Sequence, residues 1–106
     1  MPTDRLLRIQ QFLEQSPDDP FLLFALAKEY EKRGDDARAL SFYQRLVAEH
    51  PAYVGTYYHL GKLHERQSHA DAARTAYEAG LQTARTAGDH HAFGELRGAL
   101  DLLDYG

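Results

Sequence analysis

The sequence predicts an all-α fold, an α-solenoid of antiparallel helix hairpins, on three observations. Apolar residues recur with the i, i+3, i+4, i+7 spacing of one helix face. Short turns separate the stripes, and the whole pattern returns after 34 residues. A chain of 106 residues with 43% hydrophobic content fits one small domain, residues 1–106, with one core. About six helices are expected: a capping helix over 1–17, a first hairpin over 20–51, a second over 54–87 and a last capping helix over 89–104.

In the first helix Leu6, Ile9, Phe12 and Leu13 form the apolar stripe, while Asp4, Arg5, Arg8, Gln11 and Glu14 give it the polar outer surface of a cap. Pro17 ends it. Asp19 can cap the next helix, and Pro20 suits its first turn, where no backbone donor is needed. Leu23, Leu26, Ala27 and Tyr30 line that helix, and Gly34 stops it by taking the left-handed conformation. The following helix spans Asp36 to Glu49 with Ala39, Leu40, Tyr43, Leu46 and Val47 on one side and Pro51 beyond its end. A turn this short makes the two helices antiparallel. The unit then repeats: Tyr57, Leu60, Gly61 and His64 follow the first stripe, Ser68 stands in the place of Gly34, and Ala73, Tyr77 and Leu81 follow the second. Asp89 can cap a last helix carrying Phe93, Leu96, Leu100 and Leu103.

The run L-x2-L-A-x2-Y-x8-A-x3-Y-x2-L-x4-P, from Leu23 to Pro51, resembles the tetratricopeptide repeat signature at every position. Residues 54–87 resemble a looser copy, with His64 replacing the usual large aromatic, Gly80 at a small position and Arg85 replacing the proline. The size and layout are similar to short stand-alone bacterial members. The resemblance implies a protein-binding scaffold without catalysis or cofactor, since family membership specifies a frame and not a reaction. It also implies that the first helices of the stacked units build a concave, peptide-binding wall.

On the first helix of each hairpin a second stripe is turned about 130–140° from the core stripe. It comprises Phe21, Phe24, Lys28, Glu31 and Lys32 in one hairpin and Gly55, Tyr58, Lys62, Glu65 and Arg66 in the other. All three lysines of the chain lie on it. Two readings stay open. As i,i+3 and i,i+4 pairs these charges solvate an exposed helix surface, each pair contributing about 0.2–0.5 kcal/mol. As a binding face, the aromatics Phe21, Phe24 and Tyr58 beside paired cations anchor a partner's side chain. Some family members grip a C-terminal carboxylate with lysine and asparagine; this chain has no asparagine, which leaves Lys28, Lys62 and Arg66 to attract an acidic segment.

Twelve basic against sixteen acidic residues give a net charge of −4, which offers a nucleic-acid backbone no general attraction. Zero cysteines exclude disulfides and thiolate chemistry and fit a reducing, cytoplasmic setting. The start MPTDRLLRIQ has no apolar leader core, and no run of about 18 apolar residues suggests a membrane span. His90 and His91 point about 100° apart, and His59 and His64 are five apart, so neither pair converges on a metal ion. His64 is expected as a buried, hydrogen-bonded ring filling a Tyr-sized space, and His50 beside a helix C-terminal dipole. No serine lies in G-x-S-x-G, and Asp18-Asp19 and Asp35-Asp36 precede helices. GDHHAFG lacks the phosphate-cradling pattern.

A second functional reading comes from the ends. The last helix carries an additional apolar set, Ala92, Ala99 and Leu102, part of which stays uncovered. Gly94 and Gly98 each cost about 1 kcal/mol in an exposed helix, a cost that suggests close helix contact within the chain or between two chains. A homodimer through this helix, or through Tyr53 and Tyr57 as exposed aromatics at a two-fold interface, is the alternative to peptide binding.

Overall fold

The structure, a computed structural model, describes residues 2–105, with side chains from residue 4 onward. Six helices follow in order: α1 Pro2–Gln15, α2 Pro20–Lys32, α3 Asp36–Glu49, α4 Gly55–Arg66, α5 Ala70–Ala87 and α6 His90–Tyr105. There is no strand among the described residues. Packing divides the chain at His50–Pro51 into one unit of α1–α3 and another of α4–α6.

In the first unit local chemistry sets the helix ends. Asp19 accepts from the Phe21 N–H at 2.9 Å with Pro20 in the first turn, and Gly34 takes φ +79° after α2. Asp35 then accepts from the Arg38 N–H at 3.1 Å to start α3. Leu23, Leu26 and Ala27 of α2 bury against Ala39, Tyr43 and Leu46 of α3. The α1 helix packs on the other side of α2, where Ile9 is buried. A feature outside the apolar stripes joins them: Glu29, 4% exposed, pairs with Arg5 of α1 at 3.2 Å and with Arg33 at 3.5 Å. A carboxylate this buried requires such partners, because removing it from water uncompensated costs several kcal/mol.

In the second unit Ser68 takes the left-handed place that Gly34 occupies earlier, with φ 62°, and Gly88 ends α5 at φ 69°. Asp89 accepts from the Ala92 N–H at 3.0 Å at the start of α6. Leu60, Leu63, Ala73, Tyr77, Leu81, Leu96 and Leu100 form the core. Tyr57 belongs to it too: it is buried and donates its hydroxyl to the Pro51 carbonyl at 2.5 Å, so it is not available as an exposed interface aromatic.

One contact recurs in both hairpins. Tyr43 and Tyr77 are wholly buried, and each phenol donates to a carboxylate of the preceding helix, Tyr43 to Glu31 and Tyr77 to Glu65. Burial, then the hydrogen bond to Glu65, holds the Tyr77 phenol far above its usual range, so it remains a donor. The Tyr77 ring lies so close to Gly61 that a Cβ there would overlap it.

Gly80 is equally confined: a Cβ would approach the Tyr57 Cβ to 2.6 Å and both Leu96 methyls to 3.0 Å. Gly94 and Gly98 differ, since a Cβ at either meets nothing within 4 Å. The close helix contact expected for them within the chain is therefore absent, and both face open space. The expectation for His64 also changes. It is half-buried beside His69, ring centroids 6.2 Å apart, but its buried Nδ1 has no protein hydrogen-bond partner among the described residues. Burial and then the charge of His69 lower its pKa below the ordinary 6.5.

Two measurements check this packing. Gly80→Ala should destabilise the chain by about 1–2 kcal/mol in urea unfolding, overpacking outweighing a helix-propensity gain of about 1 kcal/mol, whereas Gly94→Ala should stabilise it by about that gain. Because the unfolded state binds a proton at His64 more readily, stability is present above pH 6.5 and is lost as pH falls through 6.5 toward the lower folded value. The His64→Tyr variant should show a shallower acid slope than the parent; equal slopes would contradict the assignment.

Candidate functional site

The first helices of the hairpins, α2 and α4, each carry a polar–aromatic face whose residues are placed by the core beneath them. In the first hairpin Phe24 is half-buried, its ring centroid 6.2 Å from that of Tyr43. Glu31 is half-buried by its bond to the same tyrosine. Lys28 and Lys32 are exposed. Phe21 separates from this group: it is 63% exposed and lines a cleft shared with α1. The α2 stripe is thus divided, Phe24 and Glu31 leaning on α3 and Phe21 turning to α1.

The second hairpin repeats the arrangement with different residues. Tyr58 is half-buried, 6.4 Å from the Tyr77 ring, in the place of Phe24. The Lys62 ammonium lies 5.5 Å from the Tyr58 ring centroid and 3.8 Å from the Glu65 carboxylate. Cation–π attraction at this range holds the amine over the ring face. Arg66 and Gly55 are exposed. Residues 24 and 58, 31 and 65, and 43 and 77 are each related by the 34-residue period, so one contact set is built twice.

The electrostatic character follows from these bonds. Glu31 and Glu65 each accept from a core phenol, which ties their carboxylates to the helix behind them. Lys28, Lys32, Lys62 and Arg66 share the two faces with these carboxylates, four cations to two anions. The tyrosine bond is the feature that stripe counting misses; its signal is a Glu twelve residues before a core Tyr in both hairpins. Among the described residues no three His, Cys, Asp or Glu side chains are grouped to hold a metal ion, and no helix is long and apolar enough to cross a membrane.

Comparison with known proteins meets this geometry. The tetratricopeptide repeat family matches residues 20–63. The chain is 36% identical over 96 residues to the TPR repeat-containing protein PA0015 of Pseudomonas aeruginosa, covering 91% of each. It also superposes on a tetratricopeptide repeat domain protein from Salinibacter ruber, solved by solution NMR, with 44% identity and a TM-score of 0.79, covering 82% of this chain and 88% of that one. Protein BPP2914 from Bordetella parapertussis is 30% identical with a TM-score of 0.80, over 94% of this chain and 87% of that one. With a 34-residue unit, small residues at the helix contacts and these relatives, the chain belongs to the tetratricopeptide repeat family.

Proposed function

We propose that this chain is a non-enzymatic binding module that takes a peptide or protein segment on the first-helix faces of its two hairpins. Tetratricopeptide repeats generally serve as protein-interaction modules without catalysis, and that supports the class of function. The observation that carries the choice of face is the duplicated pairing of a half-buried aromatic with a buried tyrosine, Phe24 on Tyr43 and Tyr58 on Tyr77. An aromatic wedged against the core loses little rotamer freedom when a partner covers it, which makes it an efficient anchor.

The charges indicate the partner. Four cations against two carboxylates leave the faces with a net positive charge, which favours a segment carrying Asp or Glu beside an apolar anchor. Selection of random peptides displayed on phage against the immobilised chain should enrich acidic sequences with one large apolar residue. Paired replacement Lys28→Glu and Lys62→Glu should weaken the selected peptides at least about tenfold. Unchanged affinity would remove the assignment of this face.

A further inference from the structure

The helices at the two ends of a repeat array ordinarily present polar outer surfaces. Here the large exposed hydrophobics among the described residues all lie on α1, the start of α2 and the end of α6: Leu7 at 54%, Phe12 at 54%, Phe21 at 63%, Leu102 at 70% and Tyr105 at 91% exposure. Phe12 and Phe21 line a cleft of about 440 Å3 between α1 and α2, together with Ile9 and Leu22. Its charged lining is Arg5, Arg8 and Asp4, which sum to one net positive charge. Arg5 is 68% exposed even while it bridges to Glu29.

The end of α6 is its chemical complement. Leu102 and Tyr105 are three apart and share one helix face. Asp101 and Asp104 flank them, 55% and 53% exposed, and no basic residue lies in the last turn. Two carboxylates at the negative end of a helix dipole are disfavoured there unless cations approach. Arg97 and Arg74 reach them from within the chain, and both carboxylates keep about half their surface open.

We infer that the α1–α2 cleft of one copy receives the α6 terminus of a second copy. Leu102 and Tyr105 then cover Phe12 and Phe21, and Asp101 and Asp104 face Arg5 and Arg8. Charge selects this pairing over α6 on α6 or cleft on cleft. An α6–α6 contact would gather four half-exposed aspartates at two negative helix ends, and a cleft–cleft contact would oppose two linings of one net positive charge each, whereas cleft on α6 opposes unlike charges. Every copy offers one cleft and one α6, so the contact closes when two copies exchange both and runs head to tail when they exchange one. It uses surfaces other than Lys28 and Lys62, so it stands or falls apart from the peptide-binding reading.

Analytical ultracentrifugation of the whole chain up to about 1 mM tests it, a range that reaches weak self-association. The mass should rise with concentration from 12.0 kDa to at least twice that value. Phe12→Asp, which spoils the cleft, and Leu102→Asp, which spoils α6, should each remain monomeric alone, with helical circular dichroism matching the parent. Mixed in equal amounts they should form a pair and nothing larger, since one supplies an intact α6 and the other an intact cleft. A constant 12.0 kDa for the parent, a mixture that stays monomeric, or a Phe12→Asp variant that still associates while Leu102→Asp does not would each overturn the proposal.

Discussion

Each hairpin is organised by a tyrosine of its second helix that is buried completely and still has to satisfy its hydroxyl. Tyr43 and Tyr77 meet both demands in the same way, with the ring in the core and the phenol donating to a carboxylate twelve residues earlier. A buried hydroxyl without an acceptor costs about 1–3 kcal/mol, so the glutamate is as much a requirement of the core as the small residue that admits the ring. Gly61 supplies that space in the second hairpin, and Ala27, wholly buried, holds the same repeat position in the first.

This constraint reaches the surface. Glu31 and Glu65 lie on the stripe with Lys28 and Lys62, where a charge count alone would pair them as solvent-facing partners. The phenols also draw the carboxylates toward the second helices, and Phe24 and Tyr58 pack on the same rings. The recurrence of the charge pattern is thus half structural: the glutamates repeat because the core tyrosines repeat. The cations have no such obligation to the core, which is why the binding reading rests on them and on the two aromatics. In the second hairpin the lysine is further steered, lying over Tyr58 as well as near Glu65.

What was legible in the sequence was local. Caps at Asp19 and Asp89 and the stop at Gly34 follow from one residue's bonding to its own backbone neighbourhood, and helix limits followed with them. Features set by a third helix were not. Positions 29 and 63 are equivalent in the repeat and both buried, yet one is Glu and the other Leu. Glu29 reads as a surface charge until α1 brings Arg5 to it. Gly80 holds a small position of the repeat and faces Leu96 of α6 and Tyr57 of α4, while Gly94, expected in a close helix contact, meets nothing within 4 Å. Tyr57 reads as either core or surface until its hydroxyl finds the Pro51 carbonyl. On the candidate site, the faces were visible as stripes, while the turning of Phe21 toward α1 depended on where that helix packs.

The most direct measurement is a double-mutant cycle on Tyr77→Phe and Glu65→Gln, with the equivalent cycle on Tyr43 and Glu31, read by urea unfolding. Each cycle should give a coupling energy of about 1–2 kcal/mol, the value of a hydrogen bond to a charged acceptor that is partly shielded from water. Strict additivity in both hairpins would contradict the claim that the glutamates of the repeated stripe belong to the core tyrosines.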